Sequence, residues 1–487
     1  MKIAVIGSGI GGLAAACRLA SKGHEVTVFE KNASPGGKIS EINLEGYRFD
    51  TGPSLFTLPE LVNELYAEAG EMVPPTFAYK KLDVLCKYFY NNGENLVAWS
   101  DQQKFANECA EKLGEDPSNI TKYFKRASSI YKITADIFLF NSLHRIKNLL
   151  KFSVLKSLLQ IKRIRFYKTM HDDNSGNFKS PLLIQLFDRY ATYNGSNPYK
   201  APATLNVIAH LENNLGAYFP EQGMYSIVMH IYRLALKKGV RFNFDSLVTS
   251  INIKNKKAVG ISVGDKAFTF DIVVSDSDIN YVIENLMEHP LKKRFDRLES
   301  SSSALVFYWG VKKEFPELEI HNILFSGDYK EEFTNLFQEK TIDADPTVYI
   351  FVSSKMVKTD APKNCENWFV MVNAPSSKKG NWDELIRTTK QNIINKINKS
   401  LKIDIEDYIE HEKIASPITI EQNTLSKGGA LYGNSSNSMF SAFLRHPNFL
   451  KSVKNLYFVG GSVHPGGGIP LCLASAKIVD NEIPANR

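Results

Sequence analysis

The chain opens with apolar runs and a helical stretch in regular alternation. Ile3–Ile6 is a short run of branched apolar residues, the pattern of a strand buried on both faces. Leu13–Lys22 is rich in alanine and is followed by Gly23, which predicts a helix and its end. Glu25–Glu30 alternates apolar and polar residues and predicts a second strand. The first thirty residues therefore predict a βαβ unit.

Similar patterns continue to the end of the chain. Apolar residues at helical spacing predict a helix at Tyr225–Lys238. A polar, solvent-facing helix is predicted at Asp383–Leu401, and a further helix at Leu471–Val479. Short apolar or alternating runs predict strands at Val240–Ile253, Ala258–Val263, Phe268–Ser275, Ser303–Lys312, Pro346–Val352, Phe369–Val372 and Leu456–Val459. The mixture predicts an α/β protein with more than one sheet.

The charge is concentrated in one segment. The 487 residues carry a formal charge of +7, but residues 137–170 hold eight basic residues and no acidic one. Without these eight, the basic and acidic residues of the chain almost balance. Apolar residues recur through this segment at helical spacing: Leu139, Leu143, Ile146, Leu150, Val154, Leu158 and Ile161. Two interpretations stay open: a core-facing helix with a solvated basic face, or a helix lying on an anionic membrane surface.

Several classes of protein are excluded by what the sequence lacks. It has no zinc, helix-turn-helix or RNA-binding motif, and its basic residues form one segment, so we expect no nucleic-acid partner. The five cysteines are scattered and odd in number, which is typical of reduced thiols in a cytosolic protein. The N-terminus lacks the features of a signal peptide, and no uncharged apolar run is long enough to span a bilayer.

The first turn of the βαβ unit carries the strongest chemical motif. Gly7-Ser8-Gly9-Ile10-Gly11-Gly12 lies between strand and helix and matches the dinucleotide fingerprint. The first glycine permits the tight turn, the second lets the backbone approach a pyrophosphate, and Gly12 lets helix and strand pack closely. The helix N-terminus offers N–H groups to the phosphates. Glu30, at the end of the second strand, is placed to bind a ribose diol.

The next segment distinguishes FAD from NAD. Lys31-Asn32-Ala33-Ser34-Pro35-Gly36-Gly37-Lys38 follows Glu30 directly. It resembles the flavin-containing amine-oxidase-like superfamily, which carries Glu-x5-Gly-Gly-Arg at this point. Lys38 replaces the usual Arg, which keeps the charge and removes the bidentate fork. Gly52-Pro53-Ser54 resembles the loop beneath the flavin ring in the same superfamily. The resemblance implies FAD as cofactor, with Lys31, Gly36, Gly37, Lys38, Gly52, Pro53 and Ser54 among its contacts.

The C-terminal motif narrows the family. Gly460-Gly461-Ser462-Val463-His464-Pro465-Gly466-Gly467-Gly468-Ile469-Pro470 follows the strand Leu456–Val459. It resembles the motif of bacterial-type phytoene desaturases and related carotenoid desaturases. The resemblance implies flavin contacts at Gly460, Gly461, Gly467, Gly468, Ile469 and Pro470, and an adenine contact at Val248. His464 is a candidate catalytic residue, and a purely structural histidine is the alternative.

Some positions depart from the family pattern. Gln222 replaces a glycine in the loop before the helix Tyr225–Lys238, His446 is inserted between Arg445 and Pro447, and Gly460–Val463 differs from the usual Gly-Ala-Gly-Thr. These departures leave the flavin motifs intact. They place the chain in a divergent subgroup and favour a substrate other than phytoene.

The resemblance implies a fold and a set of domains. The expected fold is α/β: a Rossmann-type FAD domain with a parallel sheet and a crossover β-hairpin or sheet, a mixed-sheet substrate domain, and a helical membrane-facing subdomain. The FAD domain is expected at 1–75, 223–290 and 415–487. The substrate domain is expected at 76–103, 201–222 and 291–414, and the helical lid at 104–200.

The implied activity is FAD-dependent carotenoid desaturation. A hydride would pass to flavin N5 and a new C=C bond would form in a C40-type polyene. A late step is favoured, such as 3,4-desaturation of a hydroxylated or γ-type carotenoid. Alternatives are a phytoene desaturase, a redox-neutral carotenoid cis–trans isomerase, an amine oxidase and a non-enzymatic flavoprotein carrier. A quinone or O₂ is the expected electron acceptor, and peripheral attachment of 137–170 to the inner face of the cell membrane is the expected location. No general base beyond His464 is suggested by the sequence.

Overall fold

A computed structural model describes residues 1–135, 141, 144–145, 160, 164–288, 298–376, 380–438 and 445–486. Most of the basic segment 137–170, with its predicted helical stripe, therefore lies outside the described residues. The five cysteines are free.

Strands and helices of different lengths alternate along most of the described chain. The strands are β1 Lys2–Ile6, β2 Glu25–Phe29, β3 Ser40–Leu44, β4 Tyr47–Thr51, β5 Tyr79–Lys81, β6 Val84–Phe89, β7 Asn95–Trp99, β8 Tyr218–Pro220, β9 Arg241–Asn243, β10 Val248–Lys254, β11 Lys257–Val263, β12 Lys266–Thr269, β13 Ile272–Ser275, β14 Ser303–Val311, β15 His321–Leu324, β16 Val348–Phe351, β17 Glu366–Ala374, β18 Ile409–Ala415 and β19 Leu456–Phe458. The α-helices are α1 Ile10–Ser21, α2 Glu60–Glu68, α3 Gln102–Leu113, α4 Pro117–Thr134, α5 Met170–Ser175, α6 Pro181–Asp188, α7 Val207–His210, α8 Tyr225–Lys237, α9 Ile279–Tyr281, α10 Tyr329–Thr334, α11 Trp382–Leu401, α12 Pro417–Thr424 and α13 Ile469–Asp480.

A five-stranded parallel sheet contains the predicted βαβ unit. Its order is β19-β13-β1-β2-β9, and β1 pairs on one side with β2 and on the other with β13. Ile3, Ala4 and Val5 are fully buried because both faces of β1 are covered, as the apolar run predicts. Helix α1 packs against α8 and α13 on one face. The α/β prediction and the βαβ unit are confirmed.

A three-stranded antiparallel sheet, β10-β11-β12, covers the other face of the parallel sheet. Two strand predictions are wrong here. The predicted strand Val240–Ile253 is broken where Asp245 adopts φ +51°, so β9 joins the parallel sheet and β10 the antiparallel one. The predicted strand Phe268–Ser275 is likewise divided between β12 and β13. An apolar pattern continues across such breaks because both halves are buried, which hides the change of sheet.

A seven-stranded mixed sheet forms the second layer, in the order β18-β14-β17-β16-β15-β6-β7. Its pairs are antiparallel apart from β15 with β6. All nine residues of β14 are buried, and they divide by alternation. Leu305, Phe307 and Trp309 pack with Ile393 and Ile397 of α11 in one core on one face of the sheet. The side chains on the opposite face of the sheet lie outside this core. The prediction of a solvent-facing helix at 383–401 is therefore wrong for this side of α11, where isoleucines are buried.

No helix within the described ranges is both long enough and apolar enough to cross a bilayer.

Candidate active site

A cavity of about 840 Å³ lies between the parallel sheet and the mixed sheet. Its roof is formed by the loops at the carboxyl ends of β1, β2 and β13, the edge at which parallel sheets bind ligands. Its floor is the free face of the mixed sheet, to which Ala304, Val306 and Tyr308 of β14 contribute. The cavity therefore connects a polar, glycine-rich end with an apolar floor.

Nearly all of the predicted cofactor contacts meet at this cavity. Ser8, Gly12 and Gly460 lie behind its wall. The predicted residues that line it are Gly7, Gly9, Ile10, Gly11, Glu30, Lys31, Gly36, Gly37, Lys38, Gly52, Pro53, Ser54, Val248, Gly461, Gly467, Gly468, Ile469 and Pro470. Segments from the N-terminus, the middle and the C-terminus of the chain thus share one wall.

Glu30 is fixed at the end of β2 by neighbouring N–H and O–H groups. One carboxylate oxygen, Oε2, accepts hydrogen bonds of 2.8 Å from both the N–H and the hydroxyl of Ser8. The other, Oε1, accepts from the N–H of Asn32 at 2.9 Å. Glu30 is buried and lines the cavity beside Val248. This arrangement holds an acid at the ribose end of a dinucleotide site.

The glycines of the roof leave no room for side chains. A Cβ on Gly12 would collide with the carbonyl oxygen of Gly7, and a Cβ on Gly11 would lie 2.7 Å from the backbone nitrogen of Gly460. Gly36 and Gly52 adopt φ +124° and +85°, and a Cβ on either would strike a neighbouring carbonyl oxygen. Two glycine stretches and a ribose-binding acid around one long cavity fit an adenine dinucleotide with a second ring system, as in FAD.

Asp276 is a part of this site that the sequence analysis missed. It follows β13 directly, and its carboxylate lies against the backbone of Gly9, Gly11 and Gly12. Burial raises the pKa of Asp276 to about 7, although the nearby N–H groups of Gly12 and Gly9 and the Lys38 ammonium oppose the rise. Its position after a buried parallel strand was the available signal, because ligands bind at that edge.

Lys38 ties two distant segments together across the cavity. Its Nζ donates hydrogen bonds to the carbonyl oxygens of Ala430 and Leu431, at 3.0 and 2.7 Å. Burial lowers the pKa of Lys38, and the carboxylates of Asp278 and Asp276 partly restore it. A single ammonium group is sufficient for these two carbonyls, which explains how lysine serves where the family resemblance implies arginine.

The floor consists of two rows of side chains that cross neighbouring strands in register. The first row, from β14 to β15, is Tyr308, Phe369, Phe351 and His321. The second is Val306, Met371, Tyr349 and Ile323. All of these except Phe351 line the cavity. Such a surface suits a flat, apolar ligand.

Polar groups within the floor are joined to one another. The Tyr349 hydroxyl lies 2.6 Å from Ser54 Oγ and 2.7 Å from His321 Nδ1. Burial, together with the nearby Arg189, lowers the pKa of His321 to about 3, so the imidazole is neutral near pH 7. No sequence pattern indicates these linked hydrogen bonds, because Ser54, His321 and Tyr349 are far apart in the sequence and meet only in the folded protein.

A buried ion pair forms another wall. Arg189 Nη2 lies 3.2 Å from Glu212 Oε1, and both residues line the cavity. The guanidinium also donates to the Tyr88 hydroxyl and lies over the rings of Tyr190 and Tyr193. The charges are paired and hydrogen-bonded, as burial requires.

Among the described residues, His464 is not one of those that line the cavity. It is buried, and its Nε2 lies 2.9 Å from the carbonyl oxygen of Asn141. Burial lowers the pKa of His464 to about 4. These contacts favour the structural alternative, and the catalytic assignment of His464 stays a prediction.

Comparisons with known proteins agree with this geometry. Residues 10–479 match the family of flavin-containing amine oxidoreductases. The chain is 47% identical to a 1-hydroxycarotenoid 3,4-desaturase of Flavobacterium sp. (strain P99-3), covering 99% of both chains. It is 29% identical to a phytoene desaturase of Fusarium fujikuroi, over 99% of this chain and 89% of the relative.

A solved structure of similar fold extends the comparison. An oxidoreductase from Methanosarcina mazei superposes with a TM-score of 0.63, over 99% of this chain and 100% of that one, at 15% identity. This likeness concerns the fold alone. The family match over most of the chain and the 47% identical relative establish that the chain belongs to the flavin-containing amine oxidoreductases, that its cofactor is FAD and that it is an oxidoreductase.

Proposed function

We propose that this protein is an FAD-dependent carotenoid desaturase that forms the C3=C4 double bond of a 1-hydroxylated carotenoid. The observation that carries the proposal is the continuity of the cavity from the glycine-rich roof to the apolar floor. The 1-hydroxycarotenoid 3,4-desaturase that is 47% identical over the full length supports the choice of substrate. Phytoene desaturation is the less favoured alternative, because the phytoene desaturase of Fusarium fujikuroi is only 29% identical to this chain.

The residues of the roof are assigned to the cofactor. Gly7, Gly9 and Gly11 and the N-terminus of α1 would hold the pyrophosphate, and Glu30 would hold the ribose. Val248 would contact the adenine, and Gly467–Pro470 with Gly52–Ser54 would enclose the flavin ring. When bound, FAD supplies the hydride acceptor for a C–H bond that adjacent double bonds have weakened.

The chain's own residues orient the polyene and exclude water from it. Val306, Met371 and Phe369 present apolar surface along the floor, so a conjugated chain can lie flat against them. The Tyr349 hydroxyl and His321 Nδ1 are satisfied along their shared chain to Ser54, which limits the water that this part of the floor attracts. Removal of the second hydrogen, as a proton, is assigned to no residue.

The observed sheets support the proposed division into domains. The parallel sheet and β10–β12 fall within 1–75, 223–290 and 415–487. The strands of the mixed sheet fall within 76–103 and 291–414, apart from the last residue of β18. Helices α4 to α6 fall within 104–200, the proposed lid, and α3 begins two residues before it.

Peripheral attachment to the inner face of the cell membrane belongs to the same proposal. The eight basic residues of 137–170 would meet anionic lipids, and the substrate itself dissolves in the bilayer. Tyr167, at the described end of this segment, is 65% exposed, and tyrosine is favoured where an apolar phase meets water. The electron acceptor, a quinone or O₂, stays a prediction.

The test uses the purified FAD-loaded protein with a 1-hydroxylated carotenoid in detergent or vesicles, under air and with an added quinone. Loss of two hydrogens by mass spectrometry, with a red shift of the absorption maximum, is the expected result. A spectral change at constant mass would indicate an isomerase, and a gain of oxygen would indicate an oxygenase. Turnover of phytoene in place of the hydroxylated substrate would favour the alternative desaturase.

A further inference from the structure

Two tyrosines lie in neighbouring rows of the cavity floor, and their hydroxyls differ in hydrogen bonding. The hydroxyl of Tyr349 has two partners, Ser54 and His321. The hydroxyl of Tyr308 has no hydrogen-bond partner within the part of the chain that the structure describes. Both side chains line the cavity.

Tyr308 is almost completely buried. It is 3% exposed, and its ring packs edge-on against Phe49 and Phe369, each with a centroid distance of 5.5 Å. Burial holds the pKa of Tyr308 well above its usual range, so the phenol is neutral and keeps its proton. The next side chain in its row, Phe369, fills an equivalent position without a hydroxyl. Packing alone therefore does not require tyrosine at position 308.

A hydroxyl that faces an apolar cavity loses its contact with water when a ligand fills that cavity. Leaving such a group without a hydrogen bond disfavours the complex. A purely hydrocarbon ligand against the floor would leave the Tyr308 hydroxyl in this state, whereas a ligand carrying a hydroxyl would satisfy it. A neutral phenol donates and accepts, and so does an alcohol.

We propose that the Tyr308 hydroxyl binds the C1 hydroxyl of the carotenoid and selects hydroxylated over unhydroxylated substrates. This inference rests on the proposed function. Such a group determines specificity because the analogue that lacks the hydroxyl leaves the buried phenol unpaired.

The position of Tyr308 agrees with the chemistry of that substrate. The C1 oxygen is three covalent bonds from C3, so the group that holds it must lie close to the flavin ring. Phe49, against which Tyr308 packs, is three residues before Gly52, the start of the segment assigned to the flavin. Tyr308 thus packs on the strand β4, which leads directly into the segment assigned to the flavin.

The test compares a 1-hydroxylated carotenoid with the same carotenoid lacking the hydroxyl, in the FAD-loaded protein. Tyr308→Phe removes one oxygen atom and leaves the ring packing in place. We expect kcat/KM for the hydroxylated substrate to fall about tenfold, the loss of one hydrogen bond. For the analogue kcat/KM should stay level or rise, so that the preference ratio falls.

Tyr349→Phe is the matched control. It removes the same atom from the same floor, but from a hydroxyl that Ser54 and His321 already satisfy. Whatever it does to the rate, it should change kcat/KM for both carotenoids by the same factor. FAD absorbance and Tm verify that each variant is folded and loaded.

Failure of the inference and failure of the proposed function give different results. A wild-type preference ratio that Tyr308→Phe leaves unchanged, or the absence of any wild-type preference, overturns the inference. If the wild type turns over neither carotenoid, the proposed function fails. Anaerobic Kd values for the two carotenoids then decide the inference: a tenfold preference that Tyr308→Phe abolishes supports it, and equal Kd values overturn it.

Discussion

At the scale of single residues, the roof of the site depends both on glycines that lack side chains and on the acidic residue that fills the space beside them. Asp276 fills the space that a Cβ atom on Gly9, Gly11 or Gly12 would need. The glycine motif could be read from the sequence. The acid that completes it could not, since Asp276 lies more than 260 residues away and meets the glycines only because β13 pairs with β1.

Ionisation of Asp276 should make stability depend on pH. Its pKa rises from 3.8 to about 7 on folding, mainly through burial, so the folded state holds the proton more tightly. Stability is therefore greatest below pH 4 with respect to this group, and it falls as the pH rises towards 7. In Asp276→Asn this loss is absent.

The measurement is the Tm of the FAD-loaded proteins between pH 4 and 8. The Tm of Asp276→Asn minus that of the wild type should increase from pH 4 to about 7 and then level off. Asp265→Asn, at an exposed carboxyl in the turn between β11 and β12, should give a difference that does not follow this course. A flat difference for Asp276→Asn as well would contradict the assigned titration.

Gly12→Ala should empty the cofactor site. The added Cβ would strike the carbonyl oxygen of Gly7, a backbone atom that cannot turn aside, so the first turn of α1 would move. We expect most of the FAD to be lost on gel filtration, measured by flavin absorbance per chain. Gly176→Ala is the control, because Gly176 has φ −79° and its Cβ would lie 3.4 Å from the nearest carbonyl oxygen. Equal FAD content in the two variants would argue against the assigned role of the roof.

At the scale of elements, alternation along a buried strand separates the core from the site. In β14 the side chains of Leu305 and Phe307 enter the core beneath α11, while Ala304, Val306 and Tyr308 face the cavity. The sequence predicts the strand because it is apolar throughout, and for the same reason it cannot predict which face binds a ligand. Breaks between strands cannot be seen in the sequence for the same reason. At Asp245, one apolar pattern runs through two strands that belong to different sheets.

Substitutions at neighbouring positions of β14 should therefore have different effects, one on stability and the other on substrate binding. Leu305→Ala leaves a hole in the core and should lower the free energy of unfolding by about 2–5 kcal/mol, with the substrate preference unchanged. Ala304→Phe adds a ring to the cavity wall and should raise the KM for the carotenoid about tenfold or more, with little loss of FAD. Chemical denaturation and steady-state kinetics measure the two effects. A large change in KM for Leu305→Ala with normal stability would reverse the assignment of the faces.

At the scale of the whole molecule, the site exists because two sheets from interleaved parts of the chain face each other. The N-terminal glycines and the motif Gly460–Pro470 share a wall because β19 pairs with β13, which pairs with β1. Family motifs predict such a wall, since they record which segments meet the cofactor. They do not predict the floor, where Ser54, Tyr349 and His321 come together through strand register. Sequence motifs thus identify the cofactor more readily than the substrate.

The uneven charge leads to a prediction about the molecule as a whole. Lys147, Lys151 and Lys156 belong to the basic segment that we propose to meet the membrane. Each lysine near an anionic surface contributes about 1 kcal/mol of attraction, so changing all three to Gln should weaken binding to anionic vesicles at least tenfold. Added salt should weaken binding of the wild type in the same direction.

The matched control removes the same charge elsewhere. Lys254, Lys256 and Lys257 are exposed in the turn between β10 and β11, and changing them to Gln alters the net charge equally. Vesicle flotation at low salt, with FAD absorbance as the measure of intact protein, compares the two triple variants. If the electrostatic attraction depended on net charge alone, both would lose binding to the same extent. Loss confined to the 147, 151 and 156 variant would assign the membrane contact to the basic segment, where a carotenoid could pass from the bilayer into the cavity.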